Sequence, residues 1–150
     1  MGLWDWMLAV YERPGVPATC LRLQDEFGQN TSLLLWAAGV RPMDPAVLQA
    51  AARAAQAWDE TALHPLRGVR RALKAPAPPV PDAAREGLRE AVKAAELRAE
   101  RVLVETLETL GGSSPGAGGG SALQAMTAAV RAWGRPAPED ALAALAAALA

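Results

Sequence analysis

The stretch HPLRGVRRALK places Arg67, Arg70, Arg71 and Lys74 within reach of one short helix. Arg67 and Arg71 are four apart, as are Arg70 and Lys74, so in a helix like charges crowd one another and need acids, an anion or a partner nearby. Residues 62–81 hold no Asp or Glu although the whole chain has a net charge of −1, so the acidic excess lies elsewhere. Asp25 and the pair Glu96 and Glu100, four apart on one face of a long helix, are the acids that could answer them.

A second polar constellation lies in QDEFGQNTS. Gln24, Asp25 and Glu26 end one helix, where the helix dipole disfavours anions by roughly 0.3–1 kcal/mol. Asn30, Thr31 or Ser32 opens the next helix, whose free N–H groups suit a small anion. Solvent, the basic helix or a ligand could satisfy that junction. Trp4 and Trp6 complete the candidates, since Trp and Arg are over-represented at binding hot spots.

Catalytic chemistry finds few residues. His64, the only histidine, precedes Pro65 at a helix start, a capping or surface position. Cys20, the only cysteine, sits among Leu21 and Leu23, the context of a buried structural thiol. One Cys and one His cannot make a zinc site, and Glu96 with Glu100 lacks the second helix that a carboxylate metal site needs. The glycines of 111–120 are not followed by the Lys-Ser/Thr of a phosphate loop. No metal, cofactor or enzymatic activity is expected.

Composition narrows the class. A chain of 150 residues is most simply one core burying roughly two-thirds of the unfolded surface. Hydrophobic residues make up 51% with only 5% aromatic, and the abundance of Ala favours closely packed helices over sheet. Thirteen Arg against two Lys follow a GC-rich codon usage and carry no message of their own. The near-zero net charge makes nucleic acid or an anionic membrane an unlikely target. The start MGLWDWMLAVYERPG has no cationic lead-in and holds Asp5, unlike a secretory signal. No uninterrupted run of about 20 apolar residues is present to cross a membrane. With a lone thiol, these features imply a cytoplasmic chain.

The elements that must position these residues follow from periodicity and breakers. Leu3, Met7, Val10 and Tyr11 mark a first helix ended by RPGV at 13–16. A second runs from near Pro17 to Phe27, with Gly28 past its end. A third starts at Asn30–Ser32, continues to Gly39 and is closed by RPMDP. Its run Leu33–Ala38 is apolar on every side. A DNA-recognition helix after Gly28 would have to expose Leu33, Leu34, Leu35 and Trp36, so this is the centre of a bundle instead. Asp44 caps a fourth helix over 45–61, and His64 and Pro65 open a fifth over 65–75. After the stiff linker APAPPVP, residues 75–81, the longest helix spans about 83–110. On it Leu88, Val92, Ala95, Ala99, Val102, Leu103, Leu107 and Leu110 predict a core stripe, and Leu97 and Val104, off that stripe, suggest a second buried face, either core packing around a central helix or a homodimer seam. Two Ala-rich helices follow, near 121–133 and 139–149. No alternating strand pattern is present.

The segments LWDWMLAVYERPGVPATCLRLQDEFGQNTSLLLW, HPLRGVRRALK and ELRAER together resemble an uncharacterised family of small bacterial proteins that begin with a Leu-Trp-acid-aromatic motif. The resemblance spans roughly residues 3–110 and extends to ALQAM, similar to a family Asn-Leu-x-x-Tyr element. It implies a shared fold and no established activity. Here TSLLL replaces the family's Val-Asn-Leu-Leu-Leu, so Ser32 stands at the Asn place; as a helix cap it serves nearly as well.

The expectation is an all-α, compact bundle of about six core helices with a C-terminal helical hairpin. Residues 1–110 form the core domain, 111–121 a flexible linker, and 122–150 a helical pair either docked or mobile. The expected role is non-enzymatic and cytoplasmic, through protein–protein contact as an adaptor or assembly factor. Its surface would be the basic helix and the Trp4/Trp6 helix. The alternative is a module binding a small anion through the basic helix and a helix N-terminus.

Overall fold

A computed structural model describes residues 2–111 and 118–150. Its helices are α1 (Leu3–Tyr11), α2 (Val16–Phe27), α3 (Thr31–Val40), α4 (Pro45–Trp58), α5 (His64–Ala72), α6 (Asp82–Gly111), α7 (Ala122–Trp133) and α8 (Glu139–Leu149). Among the described residues there is no strand, and no helix is long and apolar enough to cross a membrane. Residues 112–117 of the expected glycine linker lie outside the described residues.

Local chemistry sets most boundaries. Asn30 caps α3 by accepting the Leu33 N–H at 2.9 Å, and Asp44 caps α4 through the Ala46 N–H at 2.9 Å. Ser121 and Gln124 form a reciprocal capping box at the start of α7. Gly28 ends α2 in the left-handed region, with φ 61°. A Cβ there would also meet Arg135 of the α7–α8 loop at 2.5 Å, and the Gly28 carbonyl accepts the Trp133 indole N–H at 2.8 Å.

The centre is α3, with every residue from Ser32 to Val40 buried. α7 packs on α3 and α4, α8 on α2 and α7, and α6 on α3, α4 and α5. One core cluster therefore includes Leu3 and Trp36 together with Met126, Ala129 and Leu145 of the C-terminal pair.

Two sequence expectations need correction. The fifth helix is not a new helix opened at His64. A π-helical turn, Asp59–Leu63, joins α4 to α5 without a break, and α5 ends at Ala72. Pro65 has no N–H and its ring crowds the carbonyl four residues back, so it sits where the wider turn has already disturbed the α-helical bonding. On α6, Leu88 is 54% exposed and Leu97 50%, and Val102 and Leu110 also face outward. Ala99, Leu103 and Leu107 of the expected stripe and Val104 are buried, and they are joined by Arg85 and Glu96. The amino-terminal half of that face is polar because α5 meets it with arginines, and ion pairs replace apolar packing there.

Candidate functional site

The basic helix is largely answered from within. Arg70 donates to Glu96 at 2.6 Å, with Arg67 3.7 Å from the same carboxylate. Arg71 donates to Asp25 of α2 at 2.6 Å. Arg85, buried in α6, donates to the Lys74 carbonyl just past α5 at 3.1 Å. Lys74 itself is exposed and makes no ion pair among the described residues. The polar junction resolves similarly: Glu26 accepts from Arg22 at 3.0 Å, Asn30 is the α3 cap, and Gln24 is partly buried beside Asp25.

Trp4 and Trp6 separate. Trp6 packs against α3, where a Cβ on Gly39 would lie 2.7 Å from its ring. Trp4 lines a cavity of about 210 Å³ among α1, α2, α3, α5 and α6. Its walls are Met7, Leu8 and Tyr11 of α1, Cys20, Leu21 and Gln24 of α2, Leu35 of α3 and Leu97 of α6. Thr31, Ser32, Arg70, Glu96 and Glu100 complete its lining. Trp4 and Leu97 also line an adjoining groove along α6 with Arg98, Arg101 and Val102.

Burial governs the chemistry of this cavity. The Cys20 thiol is pushed up to about 12 by burial, so it stays protonated and is a poor nucleophile. Tyr11 is also raised, by burial first and then by Cys20 and Glu100. Glu100 is raised to about 7 by burial first and by Glu96 next, with Arg67 and Arg70 opposing. It makes no ion pair or hydrogen bond among the described residues, whereas Glu96 takes two arginines. No group of three metal-ligating side chains occurs among the described residues.

The cavity thus gathers Trp4, Gln24, Ser32 and Arg70 from the sequence candidates and leaves Trp6, Arg67, Arg71, Lys74, Asp25, Glu26 and Asn30 outside its lining. Sequence reasoning missed Leu8 and Leu21 as wall residues, although they fall between the core positions of their helices, and it set Tyr11 on the apolar face of α1, where Tyr11 is instead exposed at the cavity. The family model for "Protein of unknown function (DUF2390)" matches residues 2–107. No curated protein matches the chain, and no solved structure does.

Proposed function

The chain belongs to the DUF2390 family, a description that assigns no activity, and for it we propose a non-enzymatic, cytoplasmic role in protein–protein contact, as an adaptor or assembly factor. One observation carries the reading. Leu8, Tyr11, Leu21 and Leu97 are all large, exposed and gathered around the cavity of about 210 Å³ that Trp4 lines. Scattered exposed apolar residues are ordinary, but a contiguous patch beside a Trp anchor is the anatomy of a binding surface. The protonated Cys20 and the lack of any nucleophile–base pair in the cavity favour binding over catalysis. The lone buried thiol is compatible with a reducing cytosol.

The contact surface is accordingly the Trp4 groove, with Lys74 and the half-exposed Arg71 as the part of the basic helix left for outside contact. A homodimer through α6 would use the same face, where Leu97 and Val102 are exposed. The anion-binding alternative is supported by Arg70 and the first turn of α3 sharing one cavity. Arg70 is already held by Glu96 and the Glu100 carboxyl shares that cavity, so it ranks second.

The test is in-cell cross-linking and capture with the wild type, Leu21→Glu and Lys74→Glu, each checked for an unchanged melting temperature. Loss of a specific partner with Leu21→Glu is the expected result. An unchanged partner set would remove the groove from the proposal.

A further inference from the structure

The cavity holds one carboxyl, that of Glu100, with no ion pair or hydrogen bond among the described residues. Glu96 is occupied by Arg67 and Arg70, but the Glu100 carboxyl one turn further along α6 has no such partner among the described residues. The Thr31 and Ser32 hydroxyls line the same cavity and make no side-chain hydrogen bond among those residues. We propose that this cavity receives a lysine or arginine side chain from an amphipathic segment of a partner protein, its cationic head on Glu100 and its methylene stem along Trp4, Leu21 and Leu97. The inference rests on the groove being a protein-docking surface, and it names what the docked segment must carry.

Size, charge and shape each point to that occupant. The volume of about 210 Å³ is below the roughly 300–1,000 Å³ of drug-sized ligand pockets and above the roughly 150 Å³ that admits a benzene ring. One long side chain fits this range. Glu96 is already paired with Arg67 and Arg70, so an anionic group would meet the unpaired Glu100 carboxyl, and a wholly apolar one would strip water from it without replacing it. A lysine or arginine satisfies both demands, because its stem lies on apolar surface while its head keeps polar company. Thr31 and Ser32 add oxygen acceptors for the head. The exposed Leu8 and Tyr11 on the rim are placed to meet apolar residues a turn away on the same segment.

The experiment is selection of amphipathic helical peptides, from a display library, against the full chain. Enriched peptides should share one Lys or Arg flanked by apolar residues at helical spacing. Replacing it by norleucine, which keeps the stem and removes the charge, should weaken binding about tenfold or more. Glu100→Gln, verified as folded by its circular dichroism melt, should abolish that difference. Peptides blocked by Leu21→Glu but sharing no basic residue, or indifferent to Glu100→Gln, would overturn this inference and leave the docking surface standing. Failure to enrich any peptide that Leu21→Glu blocks would overturn both. Saturation by n-pentylamine alone, as tight as the best peptide, would make the cavity a small-amine site and overturn the partner assignment.

Discussion

Arg70 and Glu96 meet at 2.6 Å across the α5–α6 interface, with the glutamate side chain only 11% exposed. The geometry makes this pair the anchor of the basic helix on the bundle. Removing one member leaves the other buried and unanswered, a loss of about 3 kcal/mol or more. Glu96→Ala is therefore expected to be strongly destabilising in urea titration, whereas a Glu96→Leu, Arg70→Leu double variant should recover part of that loss.

The Arg71–Asp25 pair has the same 2.6 Å separation but lies in solvent, with side chains 53% and 39% exposed. Water screens it and the side chains lose freedom on pairing, so its worth is about 0–1 kcal/mol. Asp25→Asn should shift the urea midpoint little, and raising the salt concentration should erase what shift there is.

Glu100 predicts a pH dependence. Its carboxyl rises from 4.5 to about 7 on folding, so between those values the folded chain binds more protons than the unfolded one. Stability then falls as pH rises through that window and levels off above about pH 7. The groups around it are Arg67 and Arg70 of α5, Tyr11 of α1, Cys20 of α2 and its neighbour Glu96; the thiol, near 12, stays protonated across the window. Glu100→Gln should flatten this profile and be more stable than wild type by about 1–3 kcal/mol near pH 8, measured by denaturation at a series of pH values. An unchanged slope would show that Glu100 titrates normally.

Gly39 lets α1 approach α3, since a methyl group there would sit 2.7 Å from the Trp6 ring. Gly39→Ala should cost about 1–3 kcal/mol by overpacking, despite the better helix propensity of alanine. A thermal melt at or above the wild-type value would contradict this.

The C-terminal pair is expected to be indispensable. Leu145 and Met126 are fully buried in the common core, so Leu145→Ala should cost about 2–5 kcal/mol. A chain ending at residue 121 should show lost near-ultraviolet dichroism; a cooperative melt near the wild-type temperature would disprove the shared core.

Much of this architecture was legible because it is local. Gly28 as the end of α2, the start of α3 within Asn30–Ser32, Asp44 as the cap of α4 and the apolar run of α3 all depend on neighbours within a turn. The phase of α6 was legible only in part: Ala99, Leu103 and Leu107 are buried as their spacing implies, but Leu88 and Leu97 look as apolar and lie outward. What turns Arg85 and Glu96 inward is their pairing with α5 and its end, a contact between segments distant in sequence. The same holds for the site: the basic cluster and Trp4 announced themselves by residue type. That Trp6 would pack on Gly39 while Leu21 joined Trp4 depends on how three helices cross.

The π-helical turn Asp59–Leu63 takes on a second meaning beside those pairs. Successive helical residues are rotated by about 100°, so deleting one residue from this turn would swing the arginine row of α5 away from Glu96 and Asp25. The extra residue is a phase-setting wedge. Its presence determines whether Arg67, Arg70 and Arg71 close onto Glu96 and Asp25 or stand open to the surroundings, so a single-codon insertion or deletion there would turn an inward charge seam outward.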